Sequence, residues 1–598
     1  MNKRASVLKW LLGPLISIVS LVVFFGGVEL FLNGINAGYS SRFYRVEKDE
    51  NGTKIYRENR EFTHPYFEER LMRKPQPFRL DFEKKENEIR IFVMGSSAAM
   101  GDPEASFSFS RFLEVMFEEA YPQNEIEAVN AAMTAINSHT VARVARDCVR
   151  LKPDAFVIYE GNNEVIGPFG PVGVLTGYFR NKNQIDLQIS LRESRMGQLL
   201  RSILLNRSAE GVSDEKWGGM EMFLEQRIAL GNSVLERVYD LFEANLEDIV
   251  RRADTEAVPS FLCTILTNER DFAPFSSQVS GDSDIPENIQ SLIEDGDQLL
   301  GKNKLDDALA VFLKAWKESQ DHAELAFRIG RIYLQLGDFS NAKRFLVKAR
   351  DLDTLRFRTD SALNQRIRET AETSENAFLV DLAEAFARAS KDGLIGDEWL
   401  YEHVHLNAYA NYQIANVLFA AISKQLVSTG KLIGSREHKL SFSDASKLLG
   451  YTLYEQALIA GEMVERFKRP PFTFQMDHAI RLSSWETRFS RIREVLGSEN
   501  AKTDILSIYN EALGKRPDDW MLCRNYGMAL LAFEENEAAH KYLEKAFKYI
   551  PDDPDTLFSL ATVSSRLGQN GSLSKYLEKL RKLEPRYPGL EHFDEFSD

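Results

Sequence analysis

The spacing of apolar positions changes along the chain, and the changes divide it. Ile89-Arg90-Ile91-Phe92-Val93-Met94 is a nearly unbroken apolar run closed by Gly95, which predicts a buried strand. Phe109 to Ala120 repeats at helical period, and Ile126-Glu127-Ala128-Val129 predicts a second strand. Thr140 to Leu151 reads as a helix that Pro153 stops. Ala155 to Tyr159 predicts a third strand, closed by Gly161, Ser260 to Leu266 a fourth, and Phe378 to Asp381 a fifth. Strands alternating with helices imply a parallel sheet covered on both faces, a three-layer α/β fold.

Between the last two strands the chain repeats itself. Gly296 recurs as Gly330, Leu300 as Leu334, Ala308 as Ala342 and Ala315 as Ala349, each 34 residues on. The same period returns near the end, where Pro517, Pro551 and Pro585 are in register and Ala512, Tyr542 and Leu543 match Ala546, Tyr576 and Leu577. A 34-residue helix–turn–helix period resembles the tetratricopeptide repeat, although a generic array of helical hairpins has the same signature. Such hairpins bury their apolar faces only by stacking on neighbours. The expected organisation is an α/β domain in two parts, 89–280 and 356–428, with a repeat pair inserted at 281–355. The inserted pair should lean on the sheet domain or on the C-terminal array. A helical region at 429–500, broken at Arg469-Pro470-Pro471-Phe472, is placed to cap C-terminal repeats at 501–590.

One stretch has no period at all. Leu11 to Val28 is 18 residues without a charge, about 27 Å of helix, close to the hydrocarbon thickness of a bilayer. Lys3, Arg4 and Lys9 precede it, so the expectation is a short cytoplasmic segment at 1–9 and one transmembrane anchor at 10–32, with the rest of the chain translocated. A cleaved signal peptide is the alternative, but its candidate site, Ile35-Asn36-Ala37, lacks a small residue at the −3 position. A buried core helix is a third reading. Residues 33–88, polar and aromatic, read as a lead-in from the membrane. These expectations place the bulk of the chain outside an inner or plasma membrane, in the periplasm of a two-membrane cell.

Composition narrows the function classes. The 598 residues are 44% hydrophobic and 27% charged, which excludes wholesale disorder and a polytopic membrane protein. A formal charge of −15 makes the chain a poor general binder of nucleic acid. The three cysteines, Cys148, Cys263 and Cys523, are too scattered for a disulfide framework, and no CxxC occurs. No metal and no cofactor is predicted.

Candidate chemistry gathers where predicted strands end, the edge at which open α/β sheets carry their sites. The first strand runs into Gly95-Ser96-Ser97-Ala98-Ala99-Met100-Gly101, the second into Asn130-Ala131-Ala132, and the third into Gly161-Asn162-Asn163-Glu164. After the last strand comes Glu402-His403-Val404-His405. A serine hydroxyl becomes a nucleophile when an adjacent base takes its proton. His405 is the candidate base, with Glu402 three residues before it to fix the ring. His403 has Leu400 in that place, and His139 follows the second strand, where it could line the cleft.

These blocks resemble those of the SGNH (GDSL-like) hydrolases over about 89–275 and 376–425. The resemblance implies a flavodoxin-like α/β domain and acyl-ester chemistry through Ser97. It makes His405 the base and Glu402 its orienting acid. Ser97, Ala132 and Asn163 become the oxyanion donors, with Gly95, Gly101 and Gly161 in support. The chain departs from the family pattern at four positions: Ser96, Glu164 and Glu402 stand where the family has Asp, and Ala132 where it has Gly. Glu for Asp keeps the charge and lengthens the reach by one methylene. Two functions follow as expectations. One is an outward-facing serine esterase or O-acyltransferase acting on acyl esters of envelope or secreted polysaccharide, its repeats holding a protein partner. The other is a catalytically inert SGNH-like domain inside a repeat scaffold.

Overall fold

A computed structural model describes residues 17, 19–21, 23–68, 71–173, 181–207, 219–277, 286–434 and 440–596. Its centre is a five-stranded sheet of β4 (Glu88–Gly95), β5 (Glu125–Asn130), β6 (Ala155–Tyr159), β7 (Ser260–Cys263) and β8 (Ala377–Val380), in the order β5-β4-β6-β7-β8. Every pairing is parallel. All eight residues of β4 are buried, as a central strand covered on both faces requires. Helices Phe109–Ala120, Ser138–Cys148 and Ser233–Asp254 cover the sheet with their apolar stripes. Because β4 lies between β5 and β6, the direction of winding reverses beside it, and the crevice at the carboxyl ends of β4 and β6 is the switch point where such sheets bind ligands. The register sets Gly95 opposite Tyr159, so the residues that follow each strand meet there.

Strand β7 is shorter than its apolar run. Past Thr264 the backbone leaves the ladder: the Ile265 N–H donates to Asn364 Oδ1 at 2.7 Å and the Leu266 N–H to Tyr159 Oη at 3.1 Å. Side chains supply the partners a neighbouring strand would have given.

The lead-in holds structure of its own. Strands β1 (Tyr44–Lys48), β2 (Lys54–Glu58) and β3 (Arg79–Asp81) form an antiparallel sheet in that order. Asn51-Gly52 closes the first hairpin, with Gly52 at φ 79, the left-handed backbone glycine tolerates. Arg90, buried in β4, ties the two sheets together by donating to the carbonyls of Asp81 (2.7 Å) and Leu151 (2.9 Å).

Helices Glu287–Gly301, Leu305–Glu318, Ala323–Gln335 and Phe339–Leu352 make two hairpins between β7 and β8. They lean on the sheet domain: Arg331 Nη1 meets Asp271 at 2.8 Å, and Arg350 Nη1 pairs with Glu269. A second array runs from Glu499–Lys515 to Asn570–Leu583. Between sheet domain and array lie helices Phe442–Leu448, Leu453–Phe467 and His478–Leu496.

Part of the expected anchor lies outside the described residues, namely 10–16, 18 and 22. Residues 23–34 are helical and expose Phe24, Leu30 and Phe31. Among the described residues no helix is long and apolar enough to cross a membrane.

Candidate active site

The turn after β4 is tight for a steric reason. A Cβ on Gly95 would run into the Tyr159 carbonyl, and Gly101, at φ 97, takes left-handed backbone that a side chain resists. Between them Ser97 opens the short helix Ser97–Met100, and its own carbonyl accepts the N–H groups of Gly101 and Asp102 at 3.1 Å each. As the first helical residue, Ser97 has no intrahelical acceptor for its N–H. The Ser97 hydroxyl faces the crevice and lies 2.8 Å from His405 Nε2.

His405 reaches the same point from a bent loop. Leu400 and Leu406 form an isolated antiparallel bridge, and the Tyr401 N–H donates to the His405 carbonyl at 2.8 Å. Glu402 sits inside this bend, fully buried, and locks it. Its Oε1 accepts the His405 N–H at 2.8 Å and contacts His405 Nδ1, while its Oε2 accepts the His403 N–H at 2.9 Å. The Glu402 contact assigns the proton to Nδ1, which leaves Nε2 as the acceptor for Ser97. Burial draws His405 down to about 4, with Asp102 pulling it up and Arg466 pushing it further down. At that value the ring is neutral near pH 7, with Nε2 unprotonated on the side of Ser97.

Sequence reasoning missed Asp102 and Arg466. Asp102 Oδ2 lies 3.3 Å from His405 Nε2, and Arg466 Nη1 donates to it at 2.6 Å while standing 3.2 Å from His405 Nδ1. Burial alone would raise the Asp102 carboxyl, but Arg466 and His405 outweigh it and hold it below its ordinary value. Arg466 sits near the end of helix Leu453–Phe467, 364 residues from Asp102, and nothing in the local sequence links the two.

Asn163 lines the same cavity as Ser97 and His405. One of its amide hydrogens is held by the Ile136 carbonyl at 3.0 Å. Gly161, just before it, passes so close to Thr359 that a Cβ would lie 2.8 Å from the hydroxyl oxygen. The oxyanion donor expected at Ala132 is not placed there. The Ala132 N–H donates to Asn130 Oδ1 at 3.2 Å, and the residues of this loop that line the cavity are Thr134 and Ala135. Ala135 carries a φ of 59, so this is the loop's left-handed position, where a glycine would be at ease.

The other departures from the family pattern have local explanations. Ser96 hydrogen-bonds the buried Glu160 carboxyl, so an acid from the end of β6 stands beside the position where the family carries Asp. Glu164 accepts the Ser138 N–H at 2.9 Å and its hydroxyl at 2.7 Å, fixing the start of helix Ser138–Cys148, and burial raises it to about 7. His139 does not line the cavity: it is buried beside Asn245 Nδ2 at 3.0 Å and drawn by burial to about 3. His403 is packed among Phe272, Phe275 and Phe472.

The cavity measures about 510 Å³, the size of a small-molecule site. Phe67, Met220, Phe223 and Phe472 give it apolar walls, and Arg73, Glu462, Arg466 and Arg469 bring charges to it. Among the described residues no group of three or more His, Cys, Asp or Glu side chains is arranged to hold a metal ion.

Among known proteins, a family model described as tetratricopeptide repeat matches residues 299–356, and one described as coatomer epsilon subunit matches 490–598. No curated protein matches the chain. Similar solved structures include a GDSL-like lipase from Bacteroides thetaiotaomicron, 11% identical over 57% of this chain and 90% of that one, with a TM-score of 0.24. An acetyl xylan esterase is 11% identical over 56% and 99%, with a TM-score of 0.24. A tetratricopeptide protein from Thermus thermophilus is 14% identical over 51% and 95%, with a TM-score of 0.16. The tetratricopeptide match falls on the inserted hairpins, residues 299–356.

Proposed function

We propose that the protein is a serine-dependent acyl-ester hydrolase or O-acyltransferase. The observation that carries this reading is the line from Ser97 Oγ through His405 to Glu402, with 2.8 Å between the hydroxyl and Nε2. In the first half-reaction Ser97 Oγ attacks the acyl carbonyl and its proton passes to His405 Nε2. The Ser97 N–H and the second amide hydrogen of Asn163 take the oxyanion, each such donor contributing about 2.7–4 kcal/mol. His405 then returns the proton to the departing alcohol, leaving an acyl-Ser97 ester. Water as the next acceptor completes an ester hydrolysis; a sugar hydroxyl completes an acyl transfer.

In this reading residues 10–32 anchor the chain in the inner or plasma membrane, and everything after them lies outside the cytoplasm. The basic residues before the uncharged run support that orientation. Acyl esters of envelope or secreted polysaccharide are then the substrates within reach, and the helical arrays offer concave surfaces to a protein partner. A fluorophosphonate probe tests the chemistry. Wild-type protein should label and Ser97→Ala should not. Esterase activity that survives Ser97→Ala intact overturns the assignment, and folded wild-type protein that never labels points to an inert scaffold.

A further inference from the structure

Helices Lys182–Glu193 and Arg195–Arg207 form a hairpin that exposes apolar side chains on both helices, interleaved with Asn183, Gln184, Ser190 and Ser202. In the first helix Ile185 and Ile189, four apart, are buried against the protein. Leu187 and Leu191, also four apart, lie on another face and point outward. Leu199, Leu200 and Ile203 of the second helix point outward as well, and these five side chains are between 45% and 61% exposed. The arginines meanwhile turn toward the protein. Arg192 Nη1 donates to the Pro65 carbonyl at 3.3 Å, and Arg201 Nη1 to the His64 carbonyl at 3.0 Å. A helix facing water normally does the reverse, and one that is apolar on two faces needs cover on both.

The neighbour of this hairpin says what the cover is. Glu29 is the first charge after the uncharged run Leu11–Val28, and it lies on helical residues 23–34. Its two carboxylate oxygens accept the N–H groups of Arg195 and Met196, at 2.8 and 2.9 Å, at the very start of the second helix. Gln198 holds the chain a turn later: its Oε1 accepts the Tyr39 N–H at 2.9 Å and its Nε2 donates to the Tyr39 carbonyl at 3.1 Å. The outward leucines therefore begin where the uncharged run ends. A bilayer that takes up the run has its surface at the level of Glu29, which is the level of the hairpin.

We propose that the hairpin 182–207 docks on the phospholipid surface, with Leu187, Leu191, Leu199, Leu200 and Ile203 sunk to the boundary between headgroups and acyl chains. This rests on the reading of residues 10–32 as an anchor. Interfacial helices bury their apolar face about 5–10 Å deep, and a single span leaves a protein free to tilt unless a second contact holds it. The hairpin is that second contact. It also bears on the cavity wall, because Arg201 Nη2 donates to the carbonyl of Phe67, a cavity-lining residue. Docking fixes the height and orientation of the catalytic cavity over the membrane.

The test uses the full chain with single cysteines placed at Leu187→Cys, Leu200→Cys and, as a control on the exposed end of a repeat helix, Lys317→Cys. Cys148, Cys263 and Cys523 are buried and do not compete for label. Each variant carries an environment-sensitive fluorophore and is reconstituted with phosphatidylethanolamine–phosphatidylglycerol vesicles. Flotation reads the anchor; a blue shift, with quenching by lipid-borne nitroxide, reads the hairpin. Flotation with shift and quenching at 187 and 200 but not at 317 is the expected result. Flotation without them overturns the docking and leaves the anchor standing. Protein that does not float at all overturns both.

Discussion

In both helical regions a small residue on the first helix of a hairpin meets the second helix sixteen residues later. A Cβ on Gly330 would lie 2.6 Å from Leu346, and one on Gly527 2.6 Å from Leu543; Gly296 stands in the same relation to Phe312. The packing rule is shared, yet the two regions are attached differently. The inserted pair touches the sheet domain along one side, and its Arg328–Asp297 pair, at 2.9 Å, links one of its helices to another at the surface. The C-terminal array is clamped. Arg516 lies among Glu114, Glu118 and Asp519, Arg111 also reaches Asp519, and Arg524 pairs with Glu104 at 2.9 Å. Among the described residues the inserted pair contributes nothing to the cavity lining, whereas helix Leu453–Phe467 and the turn after it, between sheet domain and array, contribute Glu462, Arg466, Arg469, Pro470 and Phe472. Repeat sequence thus specifies how hairpins stack, and the charges at the helix ends specify what the stack holds in place.

The largest effect should come from removing the clamp. Arg516→Ala leaves Glu118 without its cation and Glu114 and Asp519 with Arg111 alone, and should cost about 3–5 kcal/mol in denaturant unfolding. A loss under about 1 kcal/mol, the range of exposed pairs, would mean that the array is attached no more firmly than the inserted pair. Next come the shared contacts. Gly330→Val and Gly527→Val should each cost about 1–3 kcal/mol by overpacking, and similar values in the two regions would sharpen the claim that stacking is alike in both.

Arg466→Ala should lower kcat/KM about tenfold, or 1.4 kcal/mol, and should also move the acid limb of the pH profile. The sign follows from the charge. In the proposed reading His405 is a neutral base, activity falls as pH drops through its value of about 4, and Arg466 helps to hold that value down. Without the guanidinium the acid limb moves to higher pH. An unmoved limb would reduce Arg466 to packing alone. Arg328→Ala gives the smallest change: under about 1 kcal/mol in stability, with no effect on kcat/KM.

Much of this arrangement was legible because the sheet writes its sites at strand ends. Ser97, Asn163 and the Glu402–His405 bend each follow a strand or its last crossover, so reading the strands located the residues. The loop after β5 was harder. The expected donor was put directly after the strand, at Ala132, and the chain instead spends that N–H on Asn130 and turns at Ala135. No apolar period marks a left-handed alanine. The small sheet of the lead-in shows no apolar period because its strands are short and rich in charge, although Asn51-Gly52 is a hairpin signal. Asp102 and Arg466 were out of reach for another reason: their meaning comes from a contact made only when the helical region has docked.

For the proposed nucleophile and base, the distance along the chain has a consequence for biosynthesis. Ser97 and His405 are 308 residues apart, with the inserted hairpins between them, and Arg466 comes later still. A chain that emerges from its N-terminus therefore carries an ordinary, unactivated serine through most of its synthesis. The hydroxyl acquires its base only after the repeats have emerged and β8 has joined the sheet edge. Order of emergence acts as a timer: in the proposed reading the pair assembles only after the inserted hairpins and β8 have been made.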